Sequence, residues 1–155
     1  MTSTEKISFK KALLQKCVDI INDRIEISSA AMKEAQASAN SEEKSSAGDK
    51  YETSRAMNHL EKDMYAGQLA ANRAELKQLS GVDCSRLYDT PKTGSMVECG
   101  NICFFIAAGL GKINWEGKEI FLLSPFAPLA KSFSGNKKGM PVKFGNKEFQ
   151  ITDIF

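Results

Sequence analysis

The residues best suited to chemistry gather in one polar stretch, Ser41-Glu42-Glu43-Lys44-Ser45-Ser46-Ala47-Gly48-Asp49, continued by Lys50, Tyr51 and Arg55. Carboxylates are hard oxygen ligands, and Mg²⁺ is held by one or two of them while keeping several waters. Glu42, Glu43 and Asp49 are the acids of this stretch, and Lys44, Lys50 and Arg55 are its cations, of the kind that can steer a phosphate. Each also has a plainer reading. Asp is a favoured helix N-cap, so Asp49 reads equally as a cap. Glu42 and Glu43 suit a solvated turn, the three cations suit an ordinary charged surface, and Tyr51 suits packing across neighbouring helices. His59 stands alone, which argues against a metal role. The four cysteines, Cys17, Cys84, Cys99 and Cys103, form no C-x-x-C pair and read as buried thiols. The chain carries no Walker loop, no G-x-S-x-G and no zinc spacing.

Two long helices must position that stretch. From about Lys6 to Asn40 there is neither Pro nor Gly. Leu13, Leu14, Cys17, Ile20, Ile21, Ile25, Met32, Ala35 and Ala39 recur in steps of three and four, one stripe on a helix. After the Ser- and Gly-containing break, helical pattern resumes near Tyr51 and runs to about Leu79. Its expected stripe is Met57, Leu60, Met64 and Ala71, closed by Leu76 and Leu79, with Ser80-Gly81 as the stop. Facing stripes joined by a short connection predict an antiparallel hairpin, a coiled coil over 1–81 with its tip near 41–50. A rod of that kind buries little of itself and is suited to reaching into a partner or pairing with another chain.

The second half changes character: it holds most of the Phe, Gly and Pro and the only Trp. Residues 82–93 read as a linker and 94–155 as a small β-domain. Gly100-Asn101 predicts a tight hairpin turn that pairs Cys99 with Ile102 and Cys103 with Glu98. This places the two cysteines on opposite sheet faces, because side chains alternate. Strands are expected over 112–115 and 118–123 and a short helix from Pro128 through Phe133. A last hairpin is expected around Gly145-Asn146. The fold class is α+β, with a five- or six-stranded sheet carrying one short helix. A formal net charge of +2 is too balanced to name nucleic acid as the main partner. Neither a secretory signal nor a membrane-length apolar run is visible, so a cytoplasmic protein with no membrane partner is expected.

The order of these elements, with several short motifs, resembles the Gre transcript-cleavage factors. Gly94-Ser95-Met96-Val97 is similar to that family's G-S-x-V strand opening. Ile120 to Leu123 followed by Ser124-Pro125 resembles its strand and S-P turn before the short helix. Gly135, Lys138-Gly139, Val142-Lys143-Phe144 and Phe149 to Ile154 resemble the helix exit and last strands, and Asp49-Lys50-Tyr51 resembles the acidic tip ending in a tyrosine. The resemblance covers almost the whole chain. It implies an FKBP-like fold for the second half and RNA polymerase as the partner, entered through its secondary channel, with only indirect contact to nascent RNA. It implies tip acids that share a Mg²⁺ with the polymerase, Asp49 as the ligand here. No cofactor is bound by the chain alone, and Ser124 and Pro125 dock on the channel rim. On this reading the chain is not itself an enzyme, because the polymerase supplies the catalytic site. The sequence departs from the family where its cleavage factors carry tip acids: counting back from Tyr51, Lys44 and Ala47 stand there. Leu123 replaces the acid before the S-P turn. Two other classes follow from the same residues: a coiled-coil adaptor or chaperone-like module, and a prolyl isomerase using the FKBP-like half.

Overall fold

The computed structural model describes residues 1–42 and 48–155, with only the backbone described for Glu42 and for residues 48–51. The protein is α+β: two long helices packed together, then a mixed sheet. Helix α1 spans Ser3–Glu42 and α2 spans Gly48–Ser80. The start of α1 lies earlier than the apolar periodicity suggests, and the reason is local. The Thr2 backbone N–H donates to the Glu5 carboxylate at 2.6 Å and the Glu5 N–H donates to the Thr2 hydroxyl at 3.2 Å. This reciprocal box satisfies two donors that a helix N-terminus otherwise leaves open.

By contacts the chain divides into two units: Met1–Val18 with Gln78–Phe155, and Asp19–Lys77. This division does not coincide with the expected boundary at 82–93, because the first turns of α1 pack in the same unit as the sheet.

That sheet has five strands in the order β3-β4-β2-β1-β7: β1 Met96–Cys99, β2 Ile102–Ile106, β3 Gly111–Trp115, β4 Lys118–Leu123 and β7 Asp153–Ile154. Strands β5 Pro141–Phe144 and β6 Lys147–Gln150 form a separate two-stranded sheet rather than extending the first. The β1–β2 register pairs Cys99 with Ile102 and Glu98 with Cys103, as the turn at Gly100-Asn101 predicts. β2 and β4 run parallel. The intervening β3 makes a hairpin with β4 through Glu116-Gly117, where both residues take positive φ, 52° and 79°. Such a turn matches the twist of the strands it joins.

Alternation then sorts the side chains. Val97, Phe104, Ile106 and Ile154 face helix α3 (Pro128–Phe133) and the β5–β6 hairpin, burying Ala130, Phe133, Val142 and Ile151 with them. Phe104 is the hub, its ring centroid 5.1 Å from Phe133, 5.3 Å from Phe149 and 5.6 Å from Phe121. The opposite positions, Met96, Cys103, Phe105, Ile120 and Leu122, are buried too. The first turns of α1 reach the sheet by polar and aromatic contacts. Lys6 bonds Asp153 at 2.6 Å and lies 4.9 Å from the Phe155 ring centre, and Lys118 lies 5.7 Å from that of Phe9. Lys10 is fully buried; its ammonium donates to the Arg86 carbonyl at 2.7 Å and sits 4.6 Å above the Tyr88 ring.

Within Asp19–Lys77 the α1 stripe is as expected, with Ile21, Ala35 and Ala39 buried and Ser28 continuing it. The α2 stripe holds only at its close, where Leu76 is half-buried and Leu79 buried. Met57, Leu60 and Met64 are 56%, 66% and 50% exposed, and Ala71 is exposed with them. The positions that α2 turns inward are Ser54, Asn58, Lys62, Tyr65, Leu69, Asn72, Leu76 and Leu79, of which Leu69 and Leu79 are fully buried. Both sets advance by threes and fours, so periodicity alone does not choose between them.

Candidate functional site

The tip candidates fall mostly beyond what the structure describes. Glu43 and Lys44 lie outside the described residues, and so do the side chains of Glu42, Asp49, Lys50 and Tyr51. The described part of α2 begins at Gly48, and the Asp49 backbone is helical. Arg55 is exposed on the second turn. Among the described residues no group of three His, Cys, Asp or Glu side chains is arranged to hold a metal. The Mg²⁺ role of Asp49 lies outside the described side chains.

The second candidate region, Ser124-Pro125, is fully described. The Ser124 hydroxyl accepts the Phe126 N–H at 3.1 Å and the Ser124 carbonyl accepts the Ala127 N–H at 3.0 Å. The serine is thus used to close its own turn, and Pro125 is half-buried. What the turn presents is Phe126, 66% exposed. Beside it lies a cleft of about 330 Å³ bordered by Lys92, Thr93, Pro125, Lys131 and Ser134. Pro125, the residue before Phe126, borders this cleft together with the exposed Lys92 and Lys131. Phe126 was missed in reading the sequence. The available signal was its setting between two prolines, Ser124-Pro125-Phe126-Ala127-Pro128, where neither a strand nor a helix can draw the ring inward.

No protein-family model matches this chain, and neither the curated proteins nor the solved structures contain a match.

The G-S-x-V segment has a distinct structural role. Gly94 takes φ 93°, its N–H donates to the Ile106 carbonyl at 2.7 Å, and a Cβ there would stand 2.5 Å from the Asp83 carbonyl oxygen. Ser95 is fully buried, its hydroxyl accepting the Lys92 N–H at 2.9 Å and donating to the Lys92 carbonyl at 2.7 Å. These contacts fix the path of residues 83–95 into β1, and with it the position of Lys92 at the cleft.

A third feature is apolar. A cavity of about 410 Å³ in the β-domain is bordered by Ile102, Phe104, Phe121, Leu129, Phe144 and Phe149. The thiols offer no reactive centre. Burial pushes Cys17 up to about 12 and Cys99 up to about 11, and burial also raises Cys84 and Cys103. All four are free. No helix among the described residues is long and apolar enough to cross a membrane.

Proposed function

We propose that this chain is a Gre-like factor that binds RNA polymerase through its secondary channel and modulates elongation. In this reading the helix pair is a coiled coil, the second half is FKBP-like, and the tip acids, Asp49 first and Glu43 or Glu42 second, meet a Mg²⁺ shared with the polymerase. With a second Mg²⁺ held by the polymerase, that ion would help to activate a water and stabilise the leaving oxygen in hydrolysis of backtracked RNA. Lys44, Lys50 and Arg55 steer the phosphates, and the Ser124-Pro125 turn docks with Phe126 as its anchor.

The observation that carries the reading is that Asp19–Lys77, a pair of helical arms, forms a unit of its own. At 1.5 Å per residue the α2 part of that unit is about 45 Å long. A helix pair with no further layer in its unit is suited to insertion into another molecule. The motif order from Asp49-Lys50-Tyr51 to Phe149–Ile154 supports the same partner.

The test is a stalled, backtracked elongation complex of the host's own RNA polymerase with Mg²⁺, followed for RNA cleavage with the wild-type chain and with Asp49→Ala. Faster cleavage that depends on Asp49 is the expected result. Slower nucleotide addition without cleavage would make the chain a channel-occupying regulator. No binding at low salt would end the reading. The aromatic cavity of the β-domain favours a second reading, prolyl isomerisation, which a proline-peptide turnover assay with the full chain decides.

A further inference from the structure

We propose that the outward face of α2 is a self-association surface on which a second copy of this chain pairs antiparallel, centred between Met64 and Gly67. The inference needs only the helix pair and does not depend on the polymerase reading. Met57, Leu60, Met64, Gly67, Ala71 and Ala74 follow one another in alternating steps of three and four, and all are exposed. That spacing is the a/d repeat of a helix seam, here over about 26 Å of helix. Three large apolar side chains at least half exposed on one helical line need covering.

The glycine is an independent sign. A Gly inside a helix destabilises it by about 1 kcal/mol relative to Ala, and a Cβ built on Gly67 meets nothing within 4 Å. No described residue of this chain stands where a side chain at 67 would go, and a glycine there lets a second helix approach closely.

The order of sizes along the seam identifies that molecule. Its first half is large and its second half small: Met57, Leu60, Met64, then Gly67, Ala71, Ala74. An antiparallel copy sets Met57 against Ala74, Leu60 against Ala71 and Met64 against Gly67, so every layer pairs one large residue with one small. A parallel copy sets large against large at one end and leaves a gap at the other, which close packing disfavours. The flanking positions agree. In the antiparallel register Asp63 faces Ala70, Ala56 faces Lys77 and Glu61 faces Gln68. No like charges oppose each other, so nothing repels this pairing.

Sedimentation equilibrium of the full chain from about 1 to about 200 µM tests the proposal. A reversible dimer is expected. Gly67→Leu fills the space reserved for Met64 of the second copy and should raise the dissociation constant by about tenfold or more. Its far-UV circular dichroism and melting should hold or improve, because Leu is the better helix former. Leu60→Ser should weaken pairing similarly. An Asp63→Cys/Ala70→Cys double variant should form a covalent dimer on mild oxidation, since those two positions lie roughly 10 Å apart along one helix and bond only between copies. A monomer throughout the range overturns the proposal. So does a dimer indifferent to Gly67→Leu, a double variant that does not cross-link, or a monomer whose polymerase binding alone is lost on substitution, which would assign the face to the polymerase. Sedimentation uses no polymerase, so failure here leaves the elongation reading untouched.

Discussion

Gly94→Ala is the most severe small substitution the structure defines. The backbone at Gly94 takes φ 93°, a conformation that L side chains rarely adopt. Holding a non-glycine residue in such a region costs about 1–3 kcal/mol. The added methyl also stands 2.5 Å from the Asp83 carbonyl oxygen and 3.3 Å from its carbon, so backbone rather than a flexible side chain must yield. That same oxygen accepts the Tyr88 hydroxyl at 2.8 Å, and the Tyr88 ring lies under the buried Lys10 ammonium. Displacing Asp83 therefore disturbs both contacts at once. A loss of about 3 kcal/mol is a large part of the roughly 5–15 kcal/mol available to a folded protein. For a chain of this size it lowers the melting temperature by roughly 6–12 °C. Gly67→Ala is the opposite case: helical backbone, open space around the new Cβ, and an expected gain of up to about 1 kcal/mol. Thermal melts of both variants at low concentration provide the measurement. A Gly94→Ala protein melting within about 2 °C of wild type would refute the reasoning from φ and the Asp83 contact.

Three further outcomes follow from the same unit. Lys10→Met keeps the apolar stem but removes the bond to the Arg86 carbonyl and the contact with Tyr88, and should cost about 1–2 kcal/mol. Lys10→Ala, which also empties the stem's space, should cost about 3 kcal/mol in urea unfolding. Burial pushes the Asp153 carboxyl up, but its bond to Lys6, the Ile154 N–H and the Lys138 charge outweigh this and hold it below the usual carboxylate value. Its contribution to stability is therefore complete above the unfolded-state value near 3.8 and is lost as pH falls through the lower folded-state value. Lys6→Met should flatten that acid limb in a pH series of urea midpoints. With Cys17 pushed up to about 12 and Cys99 up to about 11, the thiols stay protonated at pH 8. A thiol reagent should label the native chain slowly and all four cysteines rapidly in denaturant, as the unequal rates would show.

Much of the β-half was legible because tight turns carry strict residue requirements. Gly100-Asn101 and Gly145-Asn146 placed two hairpins, and the first fixed the Cys99–Ile102 register that the structure has. Pro128 marked the first position of α3. The assignment of β5 and β6 to a sheet of their own was not legible, since strand pattern says nothing about which edge a hairpin joins. The role of Met1–Val18 beside the sheet was hidden for a similar reason. Lys6 and Lys10 carry no mark of it in the sequence, yet one is bonded to Asp153 and the other fully buried. Long lysine stems cover apolar surface while their ammonium finds a carbonyl or a ring, and no local pattern announces that. The tip acids Glu42, Glu43 and Asp49 remain a reading of the sequence, since their side chains lie outside the described residues.

The α2 helix shows why periodicity has a limit even where it is strongest. The helix carries two lines at coiled-coil spacing, and the more apolar one was assigned to the hairpin interior. The structure turns that line outward and packs Asn58, Tyr65, Leu69, Asn72 and Leu76 toward the interior instead. Two considerations favour the arrangement found. Within Asp19–Lys77 the inward line carries Tyr65, Leu69 and Leu76, and the α1 stripe carries Ile21 and Ile25. The thinner, Ala-lined part of α1 meets a region where fewer apolar side chains are needed. A helix that satisfied only its hairpin partner would leave its outer line polar. One that keeps Met57, Leu60 and Met64 there, with Gly67 at the centre of a large-to-small gradient, is shaped by a second contact as well as the first.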